Sequence, residues 1–428
     1  MMALSKPFLS KTFRRTWLLL SGRQLPAINI WDDYTRDAFA LAQAIDCDRS
    51  SLNQPQQHPE RVNPVVAQRC CNWYLPYFDN AFYGGIMTIL RLAAHLHLVE
   101  GVRQRFLICG SCDPVHVSRM IANAFPCLSS AEVRALDSAD ALAAIPAADY
   151  SVATLWTTAY VLLKVQNTGY KFYMIQDYEP LFYPAGSTYA QAEFTYRFGF
   201  YGIANTSSLR ELYEKEYGCR AVALVPCVDK AVFYRGSPLP TEGPKRLFYY
   251  ARPGIPRNGF ELAAAALKLV KARLGSGVDI VCAGSAWDPS QYGLTGVVRT
   301  VGMLPYTATG DLYRSCHVGL VMMMTKHPSY LPFELMGSGA LVVSNVNPAN
   351  SWFLKDGENC LLSEPTASCL AETLVYGLEN HVSLAPVRDR ASEIIEEFHG
   401  DWRYSMAKVT TFMHAPDFAH EDHLERRA

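Results

Sequence analysis

Two arginines bracket a Gly/Pro loop in YYARPGIPRNGFELAAAALKLV, residues 249–270. Arg252 and Arg257 stand where a strand end gives way to a strongly patterned helix, and paired guanidiniums so placed suit a diphosphate. A second stretch, HPSYLPFELMGSG at 327–339, reads as a short helix with Ser329 as cap, Pro332 in the first turn, and Gly337 and Gly339 at its end. Its free N–H groups suit phosphate, and Glu334 suits a ribose hydroxyl pair. The plainer alternative is a capped helix with a solvated Glu. Gly84-Gly85, just before a helix starting at Ile86, lets a ligand approach the backbone closely. Gln176, Asp177 and Glu179 cluster where the strand KFYMIQD ends, a place for an acceptor-hydroxyl site or a base. Capping and turn chemistry by Asp177 before Pro180 is the alternative there.

Positioning these groups requires strands that end beneath them. Residues 70–76 read as a strand, as do RFLICG (105–110), DYSVATLWTT (149–158) and KFYMIQD (171–177), separated by helical or loop segments. RLFYYA, VDIVCAGS (278–285) and ALVVSN repeat the pattern in the second half. The alternation predicts parallel, doubly wound sheets, whose ligands sit outside the carboxyl ends of the strands. The reading divides the chain into an N-terminal leader and approach segment (1–68), a first Rossmann-like domain (69–237), a second from the linker PLPTEGPK onward (238–395), and a C-terminal crossing helix with a polar tail (396–428). The helical patterns 367–379 and 388–413 close the chain. The aromatic segment PLFYPAGSTYAQAEFTYRFGF (180–200) would line or lid a sugar site, because sugar faces stack on aromatic rings.

At 428 residues, half of them apolar and 18% charged, the chain has material for two ordinary cores. A net charge of −1 gives no reason to expect nucleic acid. Twelve cysteines read as reduced, cytosolic thiols, and Cys109-x-x-Cys112 as a buried strand-end pair rather than a redox site. Asp46-Cys47-Asp48 is formally a DxD but ends a helix and precedes no strand, so no metal site is expected. No GxGxxG opens either half, which excludes a dehydrogenase of the usual kind. Residues 1–20 combine Lys6, Lys11, Arg14 and Arg15 with an apolar run too short to span a bilayer; they suit an anionic membrane surface or a packed leader.

The two arginines with Gly259, and Glu334 with Met336 and Gly339, resemble the C-terminal domain of retaining glycosyltransferases of family 4, which have the GT-B fold. The stretch from IQDYEP through GIANTSSLRELY is similar to rhamnosyltransferases of bacterial cell-surface and S-layer glycans. The resemblance implies two Rossmann-like domains around a cleft, and a donor site of Gly84, Gly85, Arg252, Arg257, Gly284, Ser285, Ser329, Tyr330 and Glu334. It implies a nucleotide-sugar donor, dTDP-L-rhamnose, and a glycan or lipid-linked acceptor. It also implies no cofactor or metal, and front-face attack without a protein nucleophile. Asp79, Gln176, Asp177 and Glu179 are the expected acceptor contacts, with Asp177 positioning the attacking hydroxyl. Work at the cytoplasmic face of the inner membrane, with peripheral contact, fits that role. The chain departs from the pattern at Met303, where relatives often carry a basic residue, and at Lys326, where the family has its first Glu. A nucleotide-sugar epimerase, or an inactive scaffold of a polysaccharide-synthesis complex, are the alternatives on the same fold.

Overall fold

The computed structural model describes residues 33–418; the basic N-terminal segment lies outside the described residues. The first sheet holds seven parallel strands in the order β3-β2-β1-β4-β5-β6-β7. They are β1 (Cys70–Pro76), β2 (Arg103–Cys109), β3 (Glu132–Leu136), β4 (Ala148–Ala153), β5 (Thr168–Ile175), β6 (Tyr201–Ala204) and β7 (Ala221–Ala223). The second holds six, β8 (Lys245–Ala251), β9 (Val278–Gly284), β10 (Arg299–Gly302), β11 (Val318–Val321), β12 (Leu341–Asn345) and β13 (Leu361–Ser363), in the order β10-β9-β8-β11-β12-β13. Both are doubly wound, and in each the order reverses beside its first strand. Such reversals open a crevice at the carboxyl ends of the strands, between β1 and β4 and between β8 and β11.

The central strands are buried on both faces, as helix-covered parallel sheets require. On β1, Trp73 and Leu75 join one apolar cluster and Tyr74 the opposite one, following the two-residue period. Helix α1 (Gly84–Leu98) follows β1 and α2 (Phe260–Leu274) follows β8. Further on come the seven-residue α3 (Leu331–Gly337), then α4 (Ala385–Phe398) and α5 (Trp402–His414).

Three stretches differ from the sequence expectation. The strand expected over 149–158 ends at Ala153, and Trp156–Leu163 is helical. Thr158 is the reason, since its Oγ1 accepts from the Thr154 and Leu155 N–H groups and starts the helix. The single helix expected over 388–413 is two, broken at His399–Asp401, where Asp401 accepts from the Arg403 N–H and caps α5. Thereafter α5 crosses to the first domain, placing Met406, Val409, Phe412 and Met413 in its core. The end of the aromatic segment 180–200 is core, with Tyr196, Phe198 and Phe200 at most 3% exposed, while its start is part-exposed and Phe182 lies against Arg257.

Candidate functional site

A cavity of about 470 Å³ lies where the carboxyl ends of the two sheets face one another. The loop after β1 and the first turns of α1 form one wall, including Asn80, Phe82, Tyr83, Gly84, Gly85, Thr88 and Arg91. The other wall holds Tyr250, Arg252 and Arg257 from the β8 end, Gly284 and Ser285 from the β9 end, and Ser329, Tyr330 and Glu334 around α3. All nine donor-site residues suggested by the sequence therefore line one space.

Glycine is required at one of these positions and allows a close side-chain approach at another. Gly284 has φ +129°, and a Cβ there would lie 2.4 Å from the Ala251 carbonyl oxygen. A Cβ on Gly85 would stand 3.1 Å from Oε1 of Gln176, so this glycine lets the carboxamide close against the α1 backbone. That buried oxygen has no hydrogen-bond partner among the described residues.

Burial lowers the pKa of Arg257, while the carboxylates of Asp177 and Glu179 support its charge. Its guanidinium stacks 4.3 Å from the Phe182 ring centroid, which orients the fork. Arg252 lies close enough to Tyr83 to act on its phenol from across the cavity. Glu334 is pushed up to about 7 by burial, and the charge that offsets this is that of Arg91. Such a carboxylate is poised to accept a hydrogen bond that desolvation has left unmade.

The start of α3 differs from expectation. Its N-cap is Tyr330, with no side-chain cap. Ser329 instead has φ +68°, the one non-glycine with positive φ among the described residues. Its N–H donates to Nδ1 of His327 at 2.9 Å, and its Oγ accepts from the Leu331 N–H only at 3.5 Å. A left-handed serine costs roughly 1–2 kcal/mol. Tyr330, the next residue, holds it in place: its hydroxyl bonds Thr88 Oγ1 at 2.7 Å and donates to Asn205 Oδ1 at 3.0 Å. Tyr330 thus presents its ring to the cavity while its hydroxyl ties the second domain to the first.

The acceptor candidates separate. Glu179 is core, its Oε2 accepting from the Trp156 N–H at 2.6 Å and the Tyr173 hydroxyl at 2.8 Å. Asp177 accepts from Thr325 Oγ1 at 2.6 Å and from the Tyr178 N–H at 2.7 Å, and burial raises it to about 6. Both carboxylates are spent inside the protein, and neither lines the cavity. The structure thus does not bring Asp177, expected to position a hydroxyl, or Glu179, expected to contact acceptor, to the cavity. Gln176 packs under Gly85, and Asp79 is exposed beside the Tyr83 hydroxyl. Neither of these two lines the cavity; Gln176 lies behind its glycine wall and Asp79 beside its rim at Tyr83. Met303 lines the cavity without a charge, and Lys326 points to the Tyr178 ring instead.

Arg91 and Trp402 were not singled out from sequence. Arg91 shares a helix face with Gly84 and Thr88, a signal present in the spacing. Trp402 reaches the cavity only because α5 crosses over. Of the DxD, Asp48 caps Arg49–Asn53 by accepting from the Ser51 N–H, and Asp46 lines a separate cavity. No group of three or more His, Cys, Asp or Glu side chains among the described residues is arranged to hold a metal.

Residues 72–207 match the family described as WsaF, N-terminal domain, and 245–375 match WsaF, C-terminal domain. The chain is 44% identical over 323 residues to the O-antigen biosynthesis protein RfbC of Myxococcus xanthus, a match covering 75% of this chain and 25% of that protein. It spans about a quarter of the length of that curated relative. Among solved structures, HepE of Anabaena in complex with UDP and glucose superposes with a TM-score of 0.63 at 14% identity, covering 81% of this chain and 99% of that one. Sucrose-phosphate synthase of Thermosynechococcus elongatus gives 0.62 at 13% identity, covering 81% and 98%. The chain therefore carries both WsaF domains, N-terminal before C-terminal, on a GT-B glycosyltransferase fold.

Proposed function

We propose that this chain is a retaining glycosyltransferase of glycan biosynthesis, moving rhamnose from dTDP-L-rhamnose onto a surface polysaccharide or lipid-linked glycan. One observation carries the reading: two guanidiniums and a half-buried carboxylate line a single interdomain cavity at the carboxyl ends of both sheets. Arg252 and Arg257 neutralise the charge that grows on the departing diphosphate, a preorganised contribution where water is scarce. Glu334 takes the free 3′-hydroxyl of the donor's deoxyribose. The acceptor enters from the side of Gly84, Gly85, Asp79 and Gln176. Its hydroxyl oxygen bonds to the sugar C1 on the face that the diphosphate leaves, and its proton passes to the departing phosphate oxygen. No metal takes part in this scheme.

The WsaF and RfbC matches support glycan biosynthesis. HepE in complex with UDP and glucose supports a nucleotide-sugar ligand. Among the described residues no helix is long and apolar enough to cross a membrane; peripheral work at the cytoplasmic face of the inner membrane is part of the proposal. The test is thermal shift and product analysis with a panel of dTDP-, UDP- and GDP-sugars, with and without EDTA. Stabilisation by dTDP-L-rhamnose and EDTA-resistant transfer are expected. Stabilisation by no nucleotide sugar would sink the reading, and a released 2-epimer without added saccharide would favour an epimerase.

A further inference from the structure

Arg257 grows from the second domain and is held from the first. Its carbonyl oxygen accepts from the Met324 N–H at 2.9 Å, which pins the loop after β8 to the one after β11. Among the described residues no hydrogen bond or ion pair holds the guanidinium itself. It lies over the ring of Phe182, with Cζ 4.3 Å from the centroid. Phe182 ends the tight turn Glu179–Phe182, which follows β5 in the first domain. Trp156 grips that turn at both ends. Its N–H donates to Glu179 Oε2 at 2.6 Å, and its Nε1 donates to the Tyr183 hydroxyl at 3.0 Å. Beyond Met324, Thr325 Oγ1 donates to Oδ2 of Asp177 at 2.6 Å, and Lys326 Nζ stands 5.9 Å from the Tyr178 ring centroid. One first-domain strip, 177–182, therefore meets both the arginine and the segment that anchors it, 324–326.

A ring attracts the charge of a guanidinium and restrains its long side chain while taking none of its N–H donors. A carboxylate in the same place would hold it too, but would spend the fork. The fork of Arg257 therefore stays available to the cavity that it lines. We propose that Phe182 is a positioning residue for the donor's diphosphate: from the first domain it holds the Arg257 guanidinium in the pose that meets the phosphates. The strip 177–182 thereby completes the donor site of the second domain, which gives Asp177 and Glu179 a task without a place in the cavity. This rests on the nucleotide-sugar reading above.

The test is calorimetric titration of dTDP into the whole chain, in a cycle of Phe182→Leu, Arg257→Ala and the double variant. Phe182→Leu should weaken dTDP binding about threefold to thirtyfold, the range for losing a cation–ring contact. In the Arg257→Ala background the same change should cost nothing, since the ring then has no guanidinium to hold. Phe182→Tyr and Phe182→Trp keep an aromatic face and should bind as wild type. Phe182→Met, apolar and ringless, should repeat the loss of Phe182→Leu and serves if that variant folds poorly. A ring that only fills space predicts a lower melting point, with dTDP affinity either unchanged or reduced equally with and without Arg257. Either result overturns the proposal alone, provided that wild type binds dTDP and Arg257→Ala weakens it. Failure of the wild type to bind any nucleoside diphosphate overturns the functional reading as well.

Discussion

Glu179 and Glu334 are both carboxylates withdrawn from bulk water, the first fully and the second partly, and they serve opposite ends. Glu179 is 2% exposed and has its Oε2 filled by a backbone N–H and a phenol. Glu334 has a cation nearby, a cavity in front, and no hydrogen bond to its carboxylate among the described residues. Burial raises both, Glu179 to about 8 and Glu334 to about 7, so titration alone does not tell them apart. The difference is satisfaction. A buried acceptor with its donors in place is fold, and one left facing a cavity is a site for ligand donors.

The sharpest test of the cavity side is its cations. Arg252→Ala and Arg257→Ala should each lower turnover by about two to three powers of ten, the scale for losing a preorganised charge contact. Turnover at the wild-type rate with donor saturating would remove the guanidinium pair from the mechanism.

On the fold side, Glu179→Ala strands the Trp156 N–H and the Tyr173 hydroxyl. Each unpaired buried group costs about 1–3 kcal/mol, so denaturant unfolding should show a total loss of roughly 2–6 kcal/mol. Nucleotide-sugar affinity of the folded fraction should not change. A drop in affinity with stability intact would reverse the comparison.

Glu334→Gln should do the opposite. A charge-assisted hydrogen bond is worth roughly 1.5–3 kcal/mol, so donor affinity by calorimetry should fall about tenfold to a hundredfold. The melting point without ligand should not fall, because an unpartnered buried carboxylate costs the fold rather than supports it. Unchanged affinity with a lowered melting point would end the ribose assignment.

The smallest effect is in pH. Asp177, Glu334 and Glu179 are raised to about 6, 7 and 8, above their values in the unfolded chain. The folded protein therefore binds more protons than the unfolded one in this range, and their contribution is present at low pH and lost as pH rises through about 8. Melting temperature should fall by a few degrees between about pH 6 and pH 9, and by less in Glu179→Gln. A melting curve that rises across this interval would refute the raised carboxylates.

Much of the architecture was legible in local pattern. β-branched runs bounded by turn residues marked β9 and β12 and an aromatic run marked β8, while Arg252, Arg257 and Glu334, picked out by resemblance, line one cavity. The edge strand β3 was missed, since its part-exposed EVRAL carries no buried run. The break between α4 and α5 was missed because apolar periodicity runs through it, while the capping by Asp401 is a single hydrogen bond.

Residue types and their local spacing settle which side chains have the charge and shape to serve a cleft. Which of them are free to do so is settled by packing across the whole chain. Asp177, Glu179 and Glu334 are equivalent as letters, yet Thr325 and Tyr173 occupy the first two. The cation beside the third, Arg91, comes from a domain more than two hundred positions earlier in the chain. Hydrogen-bond satisfaction and desolvation are set by neighbours in space, and α5 brings Trp402 to the cleft by the same rule.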